Sequence, residues 1–143
     1  MNRIYNNESI IILCIIRLLS EGTLDIAKLM LMVVFAVDDR IRAMVTHSDT
    51  ADELFSNLQN DQLLNRKYIS YGPYFLNSLI VLKQSGAISI EGTKIRFISN
   101  KFNGNMRTGS NRMTRILHIS DKVRTILSEI DTLELYTKAG IQL

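Results

Sequence analysis

The chain has 143 residues, a formal net charge of +3 and 46% hydrophobic residues. This length fits one domain of ordinary size, and the apolar content excludes an intrinsically disordered chain. The single cysteine, Cys14, excludes an internal disulfide, and the longest apolar runs (10–16 and 29–37) fall far short of the roughly 20 residues of a membrane span, so we expect a soluble, cytoplasmic protein.

The first 40 residues predict two strongly apolar helices. The first covers about 8–20, and the second covers 24–37 with Thr23 as its N-cap. A helix that is apolar on nearly every side is buried on every side. Either these helices form the centre of a compact fold, or another protein chain covers one of them.

The second alternative predicts a partner interface on the apolar helices. Leu31, Val34 and Phe35 of the second helix, together with Tyr74 of a later helix, are the candidate interface residues. Substitution of Leu31 or Val34 by aspartate distinguishes the alternatives, because it releases a partner in one case and unfolds the chain in the other.

The middle of the chain predicts one short helix between polar segments. Residues 38–40 are charged and are predicted to be exposed to solvent after the second helix. Thr50 and Glu53 match a capping box at the start of a third helix over 50–58. The polar stretch 57–67 reads as a loop.

The most informative segment is a helix followed by a hairpin. A helix that starts at Pro73 stops at Gly86, and two alternating segments, 87–90 and 94–98, flank a turn. This order is typical of the last helix and wing of a winged-helix domain. The predicted fold is α+β, a single mostly helical winged-helix-like domain over residues 1–143, with the wing at about 87–99.

The positive charge lies from the wing onward. Residues 94–124 hold eight basic residues against one acidic residue, Asp121, and both flanking parts of the chain are net negative. Residues 94–124 include a basic flexible loop at about 100–111 and the start of a C-terminal helix at about 112–130. The candidate nucleic-acid-binding residues are Lys94, Arg96, Lys101, Arg107, Arg112 and Arg115. These cations suit the DNA backbone and an acidic protein partner equally.

The sequence predicts no catalytic residue, no metal ligand set and no cofactor. His47 and His118 have no metal-binding neighbours at the usual spacing, and no phosphate-binding loop or nucleophile elbow is present. Cys14 lies among isoleucines, where a thiol is hard to ionise. We therefore expect a protein that is not an enzyme.

Several segments resemble one known family. Residues 5–9 before the first helix, 24–28 at the start of the second, 74–88, 135–136 and 140–141 are similar to the middle component of three-component ABC-ATPase conflict systems. Lamassu-type anti-phage defence belongs to this group. Residues 101–115 match nothing in that pattern.

The resemblance implies a function in antiviral defence. It implies a small non-catalytic adaptor that assembles with an SMC-like ABC ATPase and an effector, often a nuclease. Contact with double-stranded DNA through that complex is a further expectation.

Two rival functions belong to other classes. A free-standing winged-helix transcription regulator predicts a homodimer on a palindromic operator. The predicted recognition helix has few polar side chains and no arginine from Pro73 onward, which disfavours this function. An antitoxin-like inhibitor predicts a stable pair with one toxic enzyme and no ATPase.

Overall fold

A computed structural model describes residues 2–58, 63–98 and 110–141. Within those ranges the chain is mostly helical with one small antiparallel sheet, which confirms the predicted α+β class. The helices are α1 (Asn2–Leu19), α2 (Ile26–Val37), α3 (Asp39–Thr46), α4 (Ala51–Leu58), α5 (Leu63–Gln84), α6 (Asn111–Leu127) and α7 (Thr132–Ala139). The strands are β1 (Leu24–Asp25), β2 (Ile88–Glu91) and β3 (Lys94–Phe97).

Helix α2 forms the centre of the core. Every residue from Lys28 to Val37 is buried, and the helix packs against α1, α5 and α6. The Lys28 ammonium keeps its hydrogen bonds because it donates to the carbonyl oxygens of Ser128 and Ile130. Of the two alternatives for the apolar helices, the structure therefore shows the central helix of a compact fold.

The turn after α2 differs from the prediction. Asp38 is not exposed to solvent as predicted: only 3% of its surface is accessible. Its carboxylate caps α3 by accepting a hydrogen bond from the Ile41 amide. Arg42 of α3 donates to the carbonyl oxygens of Ala36 and Val37, which lack helical partners at the end of α2. This side chain is buried because it closes the end of the central helix.

Helix α4 confirms the predicted capping box. The Thr50 hydroxyl accepts from the Glu53 amide at 3.2 Å, and the Glu53 carboxylate accepts from the Asp49 amide at 3.1 Å. The first bond satisfies an amide of the first turn that has no helical partner, and the second satisfies the amide of Asp49, which precedes the cap.

Helix α5 is longer than predicted. It begins at Leu63 rather than Pro73, so the loop predicted for 57–67 is wrong from residue 63 onward. Pro73 lies inside the helix although proline removes an amide donor there. Leu64 is buried and Tyr68 packs against the core, so burial offsets the cost of the interrupted helix.

The sheet joins the hairpin to β1, which directly precedes α2, and the hairpin itself packs against α1 and α5. The strand order is β1-β3-β2, with Leu24 opposite Ile95 and Arg96 opposite Ser89. Residues 24–25 therefore form a strand, and the second helix begins two residues later than predicted. Strands β2 and β3 confirm the predicted hairpin, while residues 99–109, most of the predicted basic loop, lie outside the described residues.

The predicted C-terminal helix is α6. It begins at Asn111 and ends at Leu127, and the Ser110 hydroxyl caps it by accepting from the Met113 amide. A second helix, α7, follows after a short turn. Its Tyr136 is buried and donates to the Ala27 carbonyl, which anchors α7 to α2.

Candidate partner-binding surface

The candidate interface residues on α2 lie in the core. Leu31, Val34 and Phe35 have no exposed surface, and Phe35 packs its ring against Phe55 at 6.1 Å. This chain itself covers them, so the interface prediction is wrong for these three residues. Tyr74 is half-buried against the core on α5 and is not covered completely.

Carboxylates neutralise two of the candidate nucleic-acid-binding cations. Lys94 Nζ lies 2.8 Å from Asp25 Oδ1, and Arg112 Nε lies 3.2 Å from Asp39 Oδ1. Arg96 on the outer face of the sheet is exposed and has no ion pair within the described part of the chain. The same holds for Arg115 on α6, whereas Lys101 and Arg107 fall outside the described residues.

The four described cations do not converge on one surface. Asp25, which holds Lys94, directly precedes α2, and Asp39, which holds Arg112, follows its end. Twelve helical residues separate the two ends of α2 by about 18 Å. The wing and the start of α6 therefore present their cations at opposite ends of the central helix.

Asp25 joins three elements that are distant in sequence. Its carboxylate accepts hydrogen bonds from Lys94 of β3 and, at 2.6 Å, from the Thr132 hydroxyl of α7. The bond from Lys94, followed by the bond from Thr132, holds the pKa of Asp25 below its ordinary value. This side chain is thus a structural anchor of the wing.

The outward side of α5 carries an exposed apolar stripe. Ile69, Leu76 and Ile80 are 67%, 59% and 53% exposed, and Pro73 between them is exposed as well. Spacings of four, three and four residues place these side chains on one face of the helix. We call Ile69, Pro73, Leu76 and Ile80 the α5 stripe.

The opposite side of α5 packs against the core. Phe75, Leu79 and Leu82 are buried, although Leu79 is only three residues from exposed Leu76 and directly precedes exposed Ile80. The second half of α5 is apolar on several sides, so its sequence does not say which side faces inward. Ile69 was missed because the predicted helix began at Pro73; the spacing 69, 73, 76 and 80 becomes visible once the helix extends to Leu63.

An apolar cavity adjoins the stripe. It has a volume of about 570 Å³, and Leu76 belongs to both the stripe and the cavity wall. Its other walls come from the start of α2, the inner side of α5, the turn of the hairpin and the first residue of α7. The lining residues are Asp25, Ile26, Ala27, Met30, Tyr68, Gly72, Phe75, Leu76, Gly92, Thr93 and Thr132.

Helix α5 has cations but no carboxylates. Arg66, Lys67 and Lys83 are its charged residues, and no aspartate or glutamate occurs between Leu63 and Gln84. Lys67 lies 3.2 Å from buried Asp38, so its charge is matched. Arg66 and Lys83 are exposed and have no ion pair among the described residues.

The residues considered for chemistry lie apart from one another. Within the described ranges no group of three potential metal ligands exists. Cys14 is fully buried, and burial raises the pKa of its thiol to about 12 in spite of the contact with the Ser120 hydroxyl. A thiol with this pKa stays protonated at neutral pH and is a poor nucleophile.

Comparisons with known proteins give no relative. The chain matches no protein-family model, no curated protein and no solved structure. None of the described helices is both long enough and apolar enough to cross a membrane.

Proposed function

We propose that this chain is a non-catalytic, winged-helix-like adaptor that binds a protein partner through the outward side of α5. The observation that carries the proposal is the exposure of the α5 stripe. Monomeric soluble proteins rarely expose contiguous apolar patches larger than a few hundred Å², and patches of that kind mark interaction sites. Here three large aliphatic side chains follow one helix face, and an apolar cavity extends the same surface.

The topology supports the winged-helix-like part of the proposal. One helix, one strand, several helices and a hairpin follow in this order before α6 and α7, and β1 pairs with β3 beside β2. Helix α5 directly precedes the hairpin. It therefore occupies the place at which a DNA-reading winged helix carries its recognition helix.

The chemistry of α5 favours a protein partner over base recognition. Side chains that read base edges supply hydrogen-bond donors and acceptors, with arginine on guanine the most common contact. The centre of the exposed face of α5 instead offers Ile69, Leu76 and Ile80, which have none, and the donors Arg66 and Lys83 lie only at its two ends. Burial of these side chains against a complementary apolar surface is favourable, at about 25 cal/mol for each Å² removed from water.

The resemblance supplies the proposed assembly. A middle component of the Lamassu type sits between an SMC-like ABC ATPase and an effector in antiviral defence. The stripe, rather than Leu31, Val34 and Phe35, then binds one of these two partners. The alternative functions, a transcription regulator and an antitoxin-like inhibitor, are those that the experiment must distinguish from the adaptor.

Affinity purification of the tagged chain from cells that express its native operon tests the proposal. We expect a large coiled-coil ATPase and an effector to co-purify, and Ile80→Asp to release at least one of them. Ile98→Asp is the matched control, because Ile98 is also 53% exposed but follows β3. Recovery of the chain alone as a dimer on operator DNA, or of one toxic enzyme without an ATPase, would overturn the proposal.

A further inference from the structure

We infer that the α5 stripe binds an amphipathic helix flanked by acidic residues, one apolar side chain of which enters the cavity beside Leu76. This inference rests on the proposed function for the use of α5 as a protein-binding surface. It adds the chemistry of the partner, which neither the topology nor the resemblance specifies.

The dimensions of the stripe fit a short helix. Ile69 and Ile80 are eleven residues apart, which corresponds to about 17 Å along the helix axis. Three turns of a partner helix cover this length. Apolar residues at positions i, i+4 and i+7 of the partner then follow the stripe, as in other helix-in-groove complexes.

The cavity provides a place for an anchor side chain. Met30, Phe75 and Leu76 give it mainly apolar walls, and its volume of about 570 Å³ exceeds the need of a single aromatic side chain. Interfaces draw most of their binding energy from a few large side chains in such desolvated pockets. The partner helix therefore needs one bulky apolar residue next to the position that contacts Leu76.

The exposed cations of α5 favour a partner helix with acidic residues at its two ends. Arg66 lies near the first end of the stripe and Lys83 near the second, and neither has an ion pair among the described residues. Glu8 of α1 does touch this helix, where it accepts a hydrogen bond from Asn77 at 3.3 Å, between the two cations. Complementary charges at the rim of an interface determine which partners associate and how fast.

A second copy of this chain does not fit the same surface. In a two-fold dimer formed through the stripe, an antiparallel arrangement brings Arg66 near Lys83 of the copy, and a parallel one brings each cation near its own equivalent. Both arrangements oppose like charges, which is unfavourable at an interface. The partner is therefore a different chain.

Two synthetic peptides of about 18 residues test the inference on the isolated protein. Both are helical and share a leucine stripe with one tryptophan anchor; glutamates flank the stripe in one peptide and lysines in the other. Fluorescence anisotropy should show that the glutamate peptide binds at least about 10-fold more tightly. We expect Ile80→Asp to weaken this binding about 10-fold or more, and Ile98→Asp to change it by less than about 2-fold.

A charge-reversed variant checks the same inference without altering the stripe. Arg66→Glu combined with Lys83→Glu should invert the preference between the two peptides. No binding of the glutamate peptide, equal binding of both peptides, or a homodimer that Ile80→Asp dissociates would each overturn the inference. Circular dichroism confirms that each variant is folded.

The two proposals fail separately. Peptide binding without a co-purifying ATPase removes the adaptor role but leaves the acidic-helix site. Co-purification of the ATPase and effector, together with failure of the glutamate peptide, leaves the adaptor and removes the acidic-helix site.

Discussion

At the level of single residues, burial separates side chains that stabilise the fold from those that contact partners. Phe35 and Ile80 are both large and apolar and lie on helices, yet Phe35 has no exposed surface and Ile80 is 53% exposed. The same substitution therefore has different consequences at the two positions. Truncation at Phe35 leaves a cavity, whereas a change at Ile80 alters the outer surface.

Phe35→Ala is expected to lower the free energy of unfolding by about 3–5 kcal/mol. This is a large part of the roughly 5–15 kcal/mol that stabilises an ordinary domain. Urea unfolding followed by circular dichroism measures the loss. Ile80→Asp, the control, should change stability by no more than about 1 kcal/mol; similar losses for both variants would mean that Ile80 belongs to the core.

Asp25→Asn tests the anchor of the wing through its dependence on pH. Hydrogen bonds from Lys94 and Thr132 lower the pKa of Asp25 in the folded protein. Ionised Asp25 therefore stabilises the fold above its unfolded pKa of about 4, and this stabilisation is lost as pH falls through the lower folded pKa. We expect the variant to be about 1 kcal/mol less stable than the wild type at pH 7.

Urea unfolding at pH 7 and near pH 2 should show that this difference shrinks in acid. Asp52→Asn is the control, because the Asp52 side chain is 91% exposed and lies 3.8 Å from Lys138. A surface carboxylate of this kind contributes little. An equal difference for Asp25→Asn at both pH values would contradict the role of its ionised form.

At the level of elements, α5 combines an unfavourable sequence with a well-packed inner face. Gly72 and Pro73 are adjacent inside the helix, and each is a poor helix former. Pro73 also leaves the carbonyl oxygen of Ile69 without its usual helical donor. The buried side chains on the other side of α5 keep the element helical across this interruption.

Pro73→Ala is expected to stabilise the protein by about 1–3 kcal/mol, because it restores the amide donor to Ile69 and removes a crowded ring. Gly72→Ala should add up to about 1 kcal/mol, since nothing lies within 4 Å of the added methyl group. Thermal unfolding of both variants provides the measurement. A loss of stability in Pro73→Ala would show that the packing of α5 requires the proline conformation.

At the level of the whole molecule, the basic segment divides into separate parts. Lys94 and Arg112 pair with carboxylates at opposite ends of α2, which leaves Arg96 and Arg115 as the described candidate cations without an ion pair. Contact with the DNA backbone stays a prediction. Because the described cations are separated, they do not form a single charge patch that could bind DNA.

Charge reversal tests the DNA prediction at one end of the molecule at a time. Each phosphate contact contributes about 0.9 to the slope of the logarithm of the binding constant against the logarithm of the salt concentration. For a contact at the wing we expect Arg96→Glu to reduce the slope by about one, and Lys94→Glu to reduce it less because Lys94 is paired. A slope that neither Arg96→Glu nor Arg115→Glu changes would contradict DNA contact by the described part of the basic segment.

The sequence by itself determined several features of this protein. The uninterrupted apolar run of α2 required burial on all sides, and Thr50 with Glu53 marked the start of α4. Alternation of apolar residues also located the hairpin from Ile88 to Phe97. The cap and the hairpin depend on contacts within a few residues, so neighbouring side chains carry the necessary information, whereas the burial of α2 follows from its apolar composition.

Only the tertiary structure decided which surfaces remain available. Helical spacing shows that Leu76 and Ile80 share a face, but not whether another element covers it. The start of α5 at Leu63 and the burial of Asp38 depend on packing that outweighs local polarity. Lys94 and Arg112 pair with carboxylates that lie 69 and 73 residues earlier in the chain. Composition alone therefore suggests more unpaired positive charge than the structure contains.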